Sequence, residues 1–350
     1  MPFASGGYHG LYYVAEDTYG TTPDNPAWTP FRHTDCSLGL KRDKFESKEL
    51  RSDRAITDVR LGTYKVEGDV GFELSYSAFD DMLEALMGGT WSGDVLRQGV
   101  TQRSFSILRK FADITQYECF SGCSPSKLSL DIKPSGMATG KLSFIGSNMT
   151  AALPAGSTFN SASANPPMDT FSASIYEGGV ANALCSAITL TLDNGLEANF
   201  VVGSKYAPQI SWGRSKCEGK GTFFFTDMTM LNKFLNETAS SLRFITGSTG
   251  LAITWLINNL QYTTGDNPVN DEKPIPVEMS FNGLHHTLNT NLQITRHPGG
   301  SASPSVSPSI SPSVSPSISP SISPSVSPSI SPSLSPSLSP SVSPSASPSA

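Results

Sequence analysis

The chain has 350 residues and a formal net charge of −6, an acidic balance that argues against a surface built to grip phosphate backbones. Its five cysteines, Cys36, Cys119, Cys123, Cys185 and Cys217, are an odd number without dense spacing, which argues against a disulfide framework and fits reduced thiols inside a cell. No charged and apolar leader opens the chain, and the longest apolar run, residues 251–257, is too short to cross a bilayer, so a soluble product without membrane insertion is expected.

Residues 7–19 read as a short aromatic strand, and residues 21–30 are Pro-rich, so residues 1–30 are expected to form an extended N-terminal arm. A second strand over 31–40 leads into residues 41–60, where twelve of twenty residues are Lys, Arg, Asp or Glu with both signs interleaved. Such a stretch cannot be buried unpaired. It reads as a solvated hairpin extension or a partner-facing loop.

Residues 65–91 change hydrophobic period partway along. Val70, Phe72, Leu74 and Tyr76 alternate with polar residues or glycine, as in a half-buried strand, and then Phe79, Met82, Leu83, Leu86 and Met87 fall on one helical face. Ser77 with Asp80 reads as a capping pair, and Gly88-Gly89 as the stop. Strands follow at 103–109, 114–120, 127–133 and 140–147, the last two alternating strictly. Residues 151–167, rich in Ala, Ser and Pro, mark a linker.

The strand-to-helix grammar returns over 216–238. Val66-Glu67-Gly68 answers to Cys217-Glu218-Gly219, Phe223 and Phe225 stand for Phe72 and Leu74, Thr226 or Asp227 can cap, and Met228, Leu231 and Leu235 make the helical stripe. The strands following the two helices are matched as 103–109 and 251–257. Residues 187–202 read as a hairpin turning on Asn194-Gly195 in type I′ geometry. A duplicated unit is the economical reading. The predicted fold is mainly β with short helices: an arm over 1–30, one β-sandwich, barrel-forming unit over 31–150, a linker over 151–170, a second unit over 171–298, and a tail over 299–350. From Ser303 onward the tail is twelve copies of Ser-Pro-Ser-x, for which a disordered or polyproline-like state is expected. Open sheet edges on such units call for a partner subunit that continues the sheet.

Chemistry is hard to find. Asp80 and Asp81 point about 100° apart on a helix and belong to its first turn. His285, His286 and His297 have no Glu or Cys at ligand spacing, and Cys119 with Cys123 has no second pair, so no metal and no cofactor is expected. Residues 213–222 fail as a phosphate loop because the glycine spacing is wrong and a strand follows. No nucleophile elbow is present, so an enzyme is not expected.

In combination, VAEDTYGTTP (14–23), ESKELRSDRAITD (46–58) and KVEGDVGFELSYSAFDDMLEALMGGTW (65–91) resemble the major tail tube proteins of long-tailed, siphovirus-like bacteriophages. The pieces ITLTLDNGLEANFVVG, ISWGRSKCEGKGTFFFTD and LQITRH are similar to the second half of the same family, and the resemblance covers residues 7–297. It implies a virion structural protein in which a β-sandwich flanked by a helix lends hairpins to a closed inner barrel conducting double-stranded DNA. Rings would stack around a tape-measure protein and meet terminator and tail-tip proteins, with assembly in the host cytoplasm. Because the unit occurs twice, a trimer with pseudo-sixfold symmetry is favoured over a hexamer.

The resemblance further assigns residues 41–60 to a loop projected onto the next ring, carried by Glu49, Arg51, Asp53 and Arg54. Glu67, Asp69 and Glu73 are the candidate lining of the bore, where an acidic or neutral wall is expected because a basic one would hold DNA. Phe79, Leu83, Leu86, Met228, Leu231 and Leu235 are the helix-packing set. The alternative from another class is a surface adhesin or cell-wall module with the Ser-Pro-Ser-x tract as its stalk.

Overall fold

Alternating hydrophobicity dominates the chain, and the computed structural model turns it into a strand-rich architecture with two short helices. It describes residues 3–298 except 249, 270–271 and 289. The expected Ser-Pro-Ser-x tail lies outside the described residues.

Thirteen strands and two helices form the framework. They are β1 (His9–Ala15), β2 (Gly39–Glu46), β3 (Val59–Glu73), α1 (Asp80–Met87), β4 (Phe105–Phe111), β5 (Gln116–Ile132) and β6 (Thr139–Gly146). The second half supplies β7 (Ser174–Glu177), β8 (Cys185–Asp193), β9 (Lys216–Phe224), α2 (Thr229–Leu235), β10 (Ser240–Thr246), β11 (Leu251–Asp266), β12 (Pro276–Gly283) and β13 (Gln293–Pro298).

The pairings run in the same order twice. In the first half β1 pairs with β4, β4 with β5, β5 with β6, β6 with β3 and β3 with β2, all antiparallel. In the second half β7 pairs with β10, β10 with β11, β11 with β12, β12 with β9 and β9 with β8. Even the register shifts recur. Phe105/Ile107 between β4 and β5 answers Ser240/Leu242 between β10 and β11, and Pro125/Lys127 between β5 and β6 answers Tyr262/Thr264 between β11 and β12. Val66 opposite Gly146 likewise matches Cys217 opposite Gly283.

The two orders meet through β5 and β8, which pair from Ile132 opposite Ile188 to Lys127 opposite Asp193. One antiparallel run results, β2–β3–β6–β5–β8–β9–β12–β11. Val70, Leu142, Leu130, Leu190, Phe223 and Met279 are buried beneath successive strands of it and belong to one continuous hydrophobic cluster. β5 and β11 are long enough to serve two layers. Their first halves pair with β4 and β10, and their second halves with β6 and β12.

Several expectations change. The counterpart of β4 is β10, a strand absent from the sequence-based set, and residues 251–257 belong to β11, the counterpart of β5. Asn194-Gly195 does not close a hairpin: residues 197–199 pair with 209–211, and β8 is occupied on both edges by β5 and β9. Asn194 is buried and donates through Nδ2 to the Leu86 carbonyl at 2.6 Å. Ser77 does not cap α1; it sits at φ 54°, and the residue before the helix, Phe79, makes no side-chain cap. Gly88 does end the helix in the left-handed region at φ 59°. Asp227 Oδ1 accepts the Thr229 amide hydrogen bond at 2.7 Å.

Residues 9–30, expected to form an arm, are built into the chain's own layers: β1 pairs along its whole length with β4, and Trp28 is fully buried. The linker also lies on the first half. Thr158 and Phe159 pair in parallel with Ala27 and Trp28, and the Met168 amide bonds to the Leu74 carbonyl at 2.7 Å.

A charge pair with a buried carboxylate ties α2 down. Glu177 on β7 is 8% exposed and accepts from Lys233 at 2.6 and 2.7 Å, Ser240 Oγ at 2.5 Å and Tyr262 Oη at 3.2 Å. Removing Lys233 strands that carboxylate, so Lys233→Ala is expected to cost about 2–4 kcal/mol in urea unfolding. The double variant Lys233→Met, Glu177→Gln is expected to recover most of the loss; a single variant as stable as the parent would show that the pair does no such work.

Candidate functional site: the polar face and its open edges

Because strand side chains alternate, the sheet that buries one face offers another. On β3, Val66, Val70 and Phe72 point to the core, so Glu67, Asp69 and Glu73 stand on the opposite face, and the structure brings all three together there. Neighbouring strands add Lys141 and Ser143 from β6, Ser129 and Asp131 from β5, Thr189 and Thr191 from β8, Lys220 from β9 and Glu278 from β12.

The charges on this face are paired, three times across strands and twice between residues two apart along the chain. Glu67 accepts from Lys41 at 2.7 Å and lies 2.8 Å from Lys65; Lys220 meets Glu278 at 2.6 Å, Lys133 meets Asp131 at 2.5 Å and Lys141 lies 3.8 Å from Asp69. Each cation in these pairs is a lysine. Hydrogen bonds from Lys41 and Lys65 hold the Glu67 carboxyl below the usual carboxylate range. Exposed pairs of this kind contribute about 0–1 kcal/mol each, so their consequence is a nearly neutral surface more than a stable one.

The two ends of the run are open. Among the described residues, β2 has a strand neighbour on one side, β3, and residues 261–266 of β11 have one, β12. Unpaired edges of this length template pairing with another chain. The sequence pattern implies open edges in general without singling out these two. Gly39–Glu46 and Leu251–Asp266 both carry strand patterns, yet a paired edge and a free one differ only in which strands become neighbours in space.

Glu49, Arg51, Asp53 and Arg54 stand at the exposed tip between β2 and β3. Arg51 grips Asp53 in a two-pronged pair with its shorter arm at 2.8 Å, Asp53 also accepts the Ala55 amide, and Arg54 takes φ 61° in the turn. Of the helix set, Phe79, Leu83 and Leu86 are buried and Leu231 packs partly against the core, whereas Met228 and Leu235 are 49% and 64% exposed.

No group of three or more His, Cys, Asp or Glu side chains able to hold a metal ion occurs among the described residues. The cysteines are free, and burial pushes each thiol up, Cys185 and Cys217 to about 12. Among the described residues no helix is long and apolar enough to cross a membrane. His297 bonds with Thr254 at 2.8 Å. Asp80 and Asp81, expected as first-turn charges, also have tertiary partners: Asp80 meets Arg296 at 2.5 Å, and Asp81 accepts from Tyr13 at 2.9 Å.

No curated protein matches the chain. A family model described as phage tail tube protein matches residues 9–283, which takes in both repeats of the pairing order. The span of that match and the mainly β fold it covers place the chain in the phage tail tube protein family, as a structural component of the virion tail.

Proposed function

We propose that copies of this chain close edge to edge into a ring, that rings stack into the tail tube, and that the bore conducts double-stranded DNA during ejection into the host. The observation that carries this is the join between β5 and β8, where the first repeat already accepts the second strand-to-strand. The open edge of β11 is the counterpart of β5's joined edge, and the open edge of β2 is the counterpart of β8. Repeating the internal join between copies therefore pairs Gly39–Lys41 of β2 with Thr264–Asp266 of β11 and continues the run around the ring.

The repeated pairing order supports reading the chain as a duplicated unit, the expected first unit, 31–150, being extended to take in β1, and the second spanning 171–298 beyond the linker at 151–170. Six units then arise from three copies with pseudo-sixfold symmetry. The polar face turns inward, with Glu67, Asp69 and Glu73 on the lining. Its lysine–carboxylate pairs give passing phosphates no net attraction. The tape-measure protein would occupy the bore before DNA, terminator and tip proteins would cap the stack, and assembly would take place in the host cytoplasm. Electron cryo-microscopy of tubes grown from the full chain tests this: three copies per ring are expected, and six would overturn the pseudo-sixfold arrangement.

The tip residues Glu49, Arg51, Asp53 and Arg54 are assigned to contact with the next ring, where interleaved charges set rotational register without making free subunits stick. Asp53→Arg removes the Arg51 partner and places like charges together. Subunits are expected to stay folded by circular dichroism while tube length or yield falls severalfold; tubes of normal length would remove the tip from that role.

A further inference from the structure

The helices α1 and α2 hold the same place in the repeated order but have different surroundings. α1 buries Met82, Leu83, Leu86 and Met87, and residues of the second repeat meet both of its ends. Asn194 bonds to the Leu86 carbonyl at 2.6 Å, and Trp212 lies so close to Gly88 that a Cβ there would stand 3.0 Å from its ring. Arg296 on β13 lies 4.1 Å over Trp91. Residues 194–215, which join β8 to β9, continue across the first repeat's flank. The Lys205 carbonyl accepts from the Tyr64 amide at 2.6 Å, and the Ala207 carbonyl accepts from Ser147 Oγ at 2.9 Å.

α2 has no buried residue. Phe224, Phe225, Met228 and Leu235 around it are exposed. Leu284, the counterpart of Ser147 because each follows the glycine opposite Val66 or Cys217, is 41% exposed. By register the segment that corresponds to residues 194–215 is 42–64, the hairpin that β2 and β3 form beyond Lys41 and Lys65, with residues 47–58 at its end. The hydrogen bonds and ion pairs of residues 47–58 lie within the hairpin, as between Arg51 and Asp53 and between Thr57 and Glu49. Leu50 is 99% exposed, and Phe45 and Ile56 are exposed beside it.

We infer that in the assembled ring residues 47–58 of one copy lie on α2 and Leu284 of a second copy, as residues 194–215 lie on α1 and Ser147 within the chain. The inference rests on the proposed ring, because the β2 edge must join β11 of a neighbour for the segment to arrive there. The occupant is a second copy since the equivalent flank is already occupied by the equivalent segment of this same chain. Both surfaces also expose apolar side chains that the free subunit leaves in water. Seated by Phe45, Leu50 and Ile56, the hairpin keeps its charged side chains available to the ring above. One element thus seals a neighbour in its own ring and presents the stacking charges.

The test uses tubes of the full chain carrying Leu50→Cys and Leu235→Cys, treated with a bis-maleimide and resolved on a denaturing gel. The native thiols are buried or half-buried and held protonated by burial, so they react slowly. A contact within a closed ring links no more chains than the ring holds, so the expected ladder stops at three. A ladder that runs on past the number of copies counted in one ring by microscopy means that the hairpin meets the next ring instead, and overturns the inference while leaving the tube reading intact. Absence of any linked species, repeated with Ile56→Cys and Leu284→Cys, also overturns it. Wild-type protein that forms no ring under the microscope would sink the ring reading itself.

Discussion

Glu67→Arg is expected to leave tubes intact and to slow DNA ejection by about tenfold or more at low salt. Glu67 stands between Lys41 and Lys65, so the substitution converts a paired site into three neighbouring cations in every copy of every ring. The folding cost is small, since exposed pairs of this kind contribute about 0–1 kcal/mol. The effect on DNA is larger because each cation that meets a phosphate releases a condensed counterion. Retention should accordingly weaken by roughly threefold per contact when salt rises fourfold. Ejection followed by dye fluorescence at two salt concentrations is the measurement. Unchanged kinetics at low salt would take Glu67 off the wall of the bore.

Lys41→Cys combined with Thr264→Cys is expected to give interchain disulfides in most subunits of assembled tubes and none in free subunits. The register is that of the internal join, where Lys127 faces Asp193 across β5 and β8. Lys127 is the first residue after the shift that Thr264 repeats. Asp193 follows Leu192, the partner of Cys217, as Lys41 follows Leu40, the partner of Val66. If copies repeat the join, Thr264 faces Lys41, and Asp266 faces Gly39. Mass spectrometry of peptides released without reduction reads the pair directly. Linkage between two Thr264→Cys positions would show a two-fold contact that cannot close a ring, and would defeat the edge assignment.

The stretch over 65–91 shows how far local pattern reaches. Phe72 and Leu83 alternate and repeat as a strand and a helix must in order to bury one face, and Gly88 supplies the left-handed stop. The match of Val66-Glu67-Gly68 to Cys217-Glu218-Gly219 was legible for the same reason, since both serve one position in one pairing scheme. Leu242 and Phe244 carry an equally regular alternation, but the stronger apolar run at 251–257 draws the match away from β10.

At Asn194-Gly195 local preference is overridden. A dipeptide suited to a tight hairpin instead spends its amide on the Leu86 carbonyl, because β8 gains more by pairing with two strands than by folding back on its own continuation. The surfaces around Met228 and Leu235 are likewise unreadable as exposed. Their spacing is that of a buried helical stripe, and spacing does not tell whether the covering element belongs to the same chain.

By itself the sequence determined the strand-rich character, the two short helices and the resemblance of both halves, because each depends on periodicity within a dozen or so residues. Only the tertiary structure decided which strands are neighbours, where the register shifts fall, which edges stay open and which charges meet on one face. Those depend on contacts between residues far apart along the chain, which no local pattern encodes.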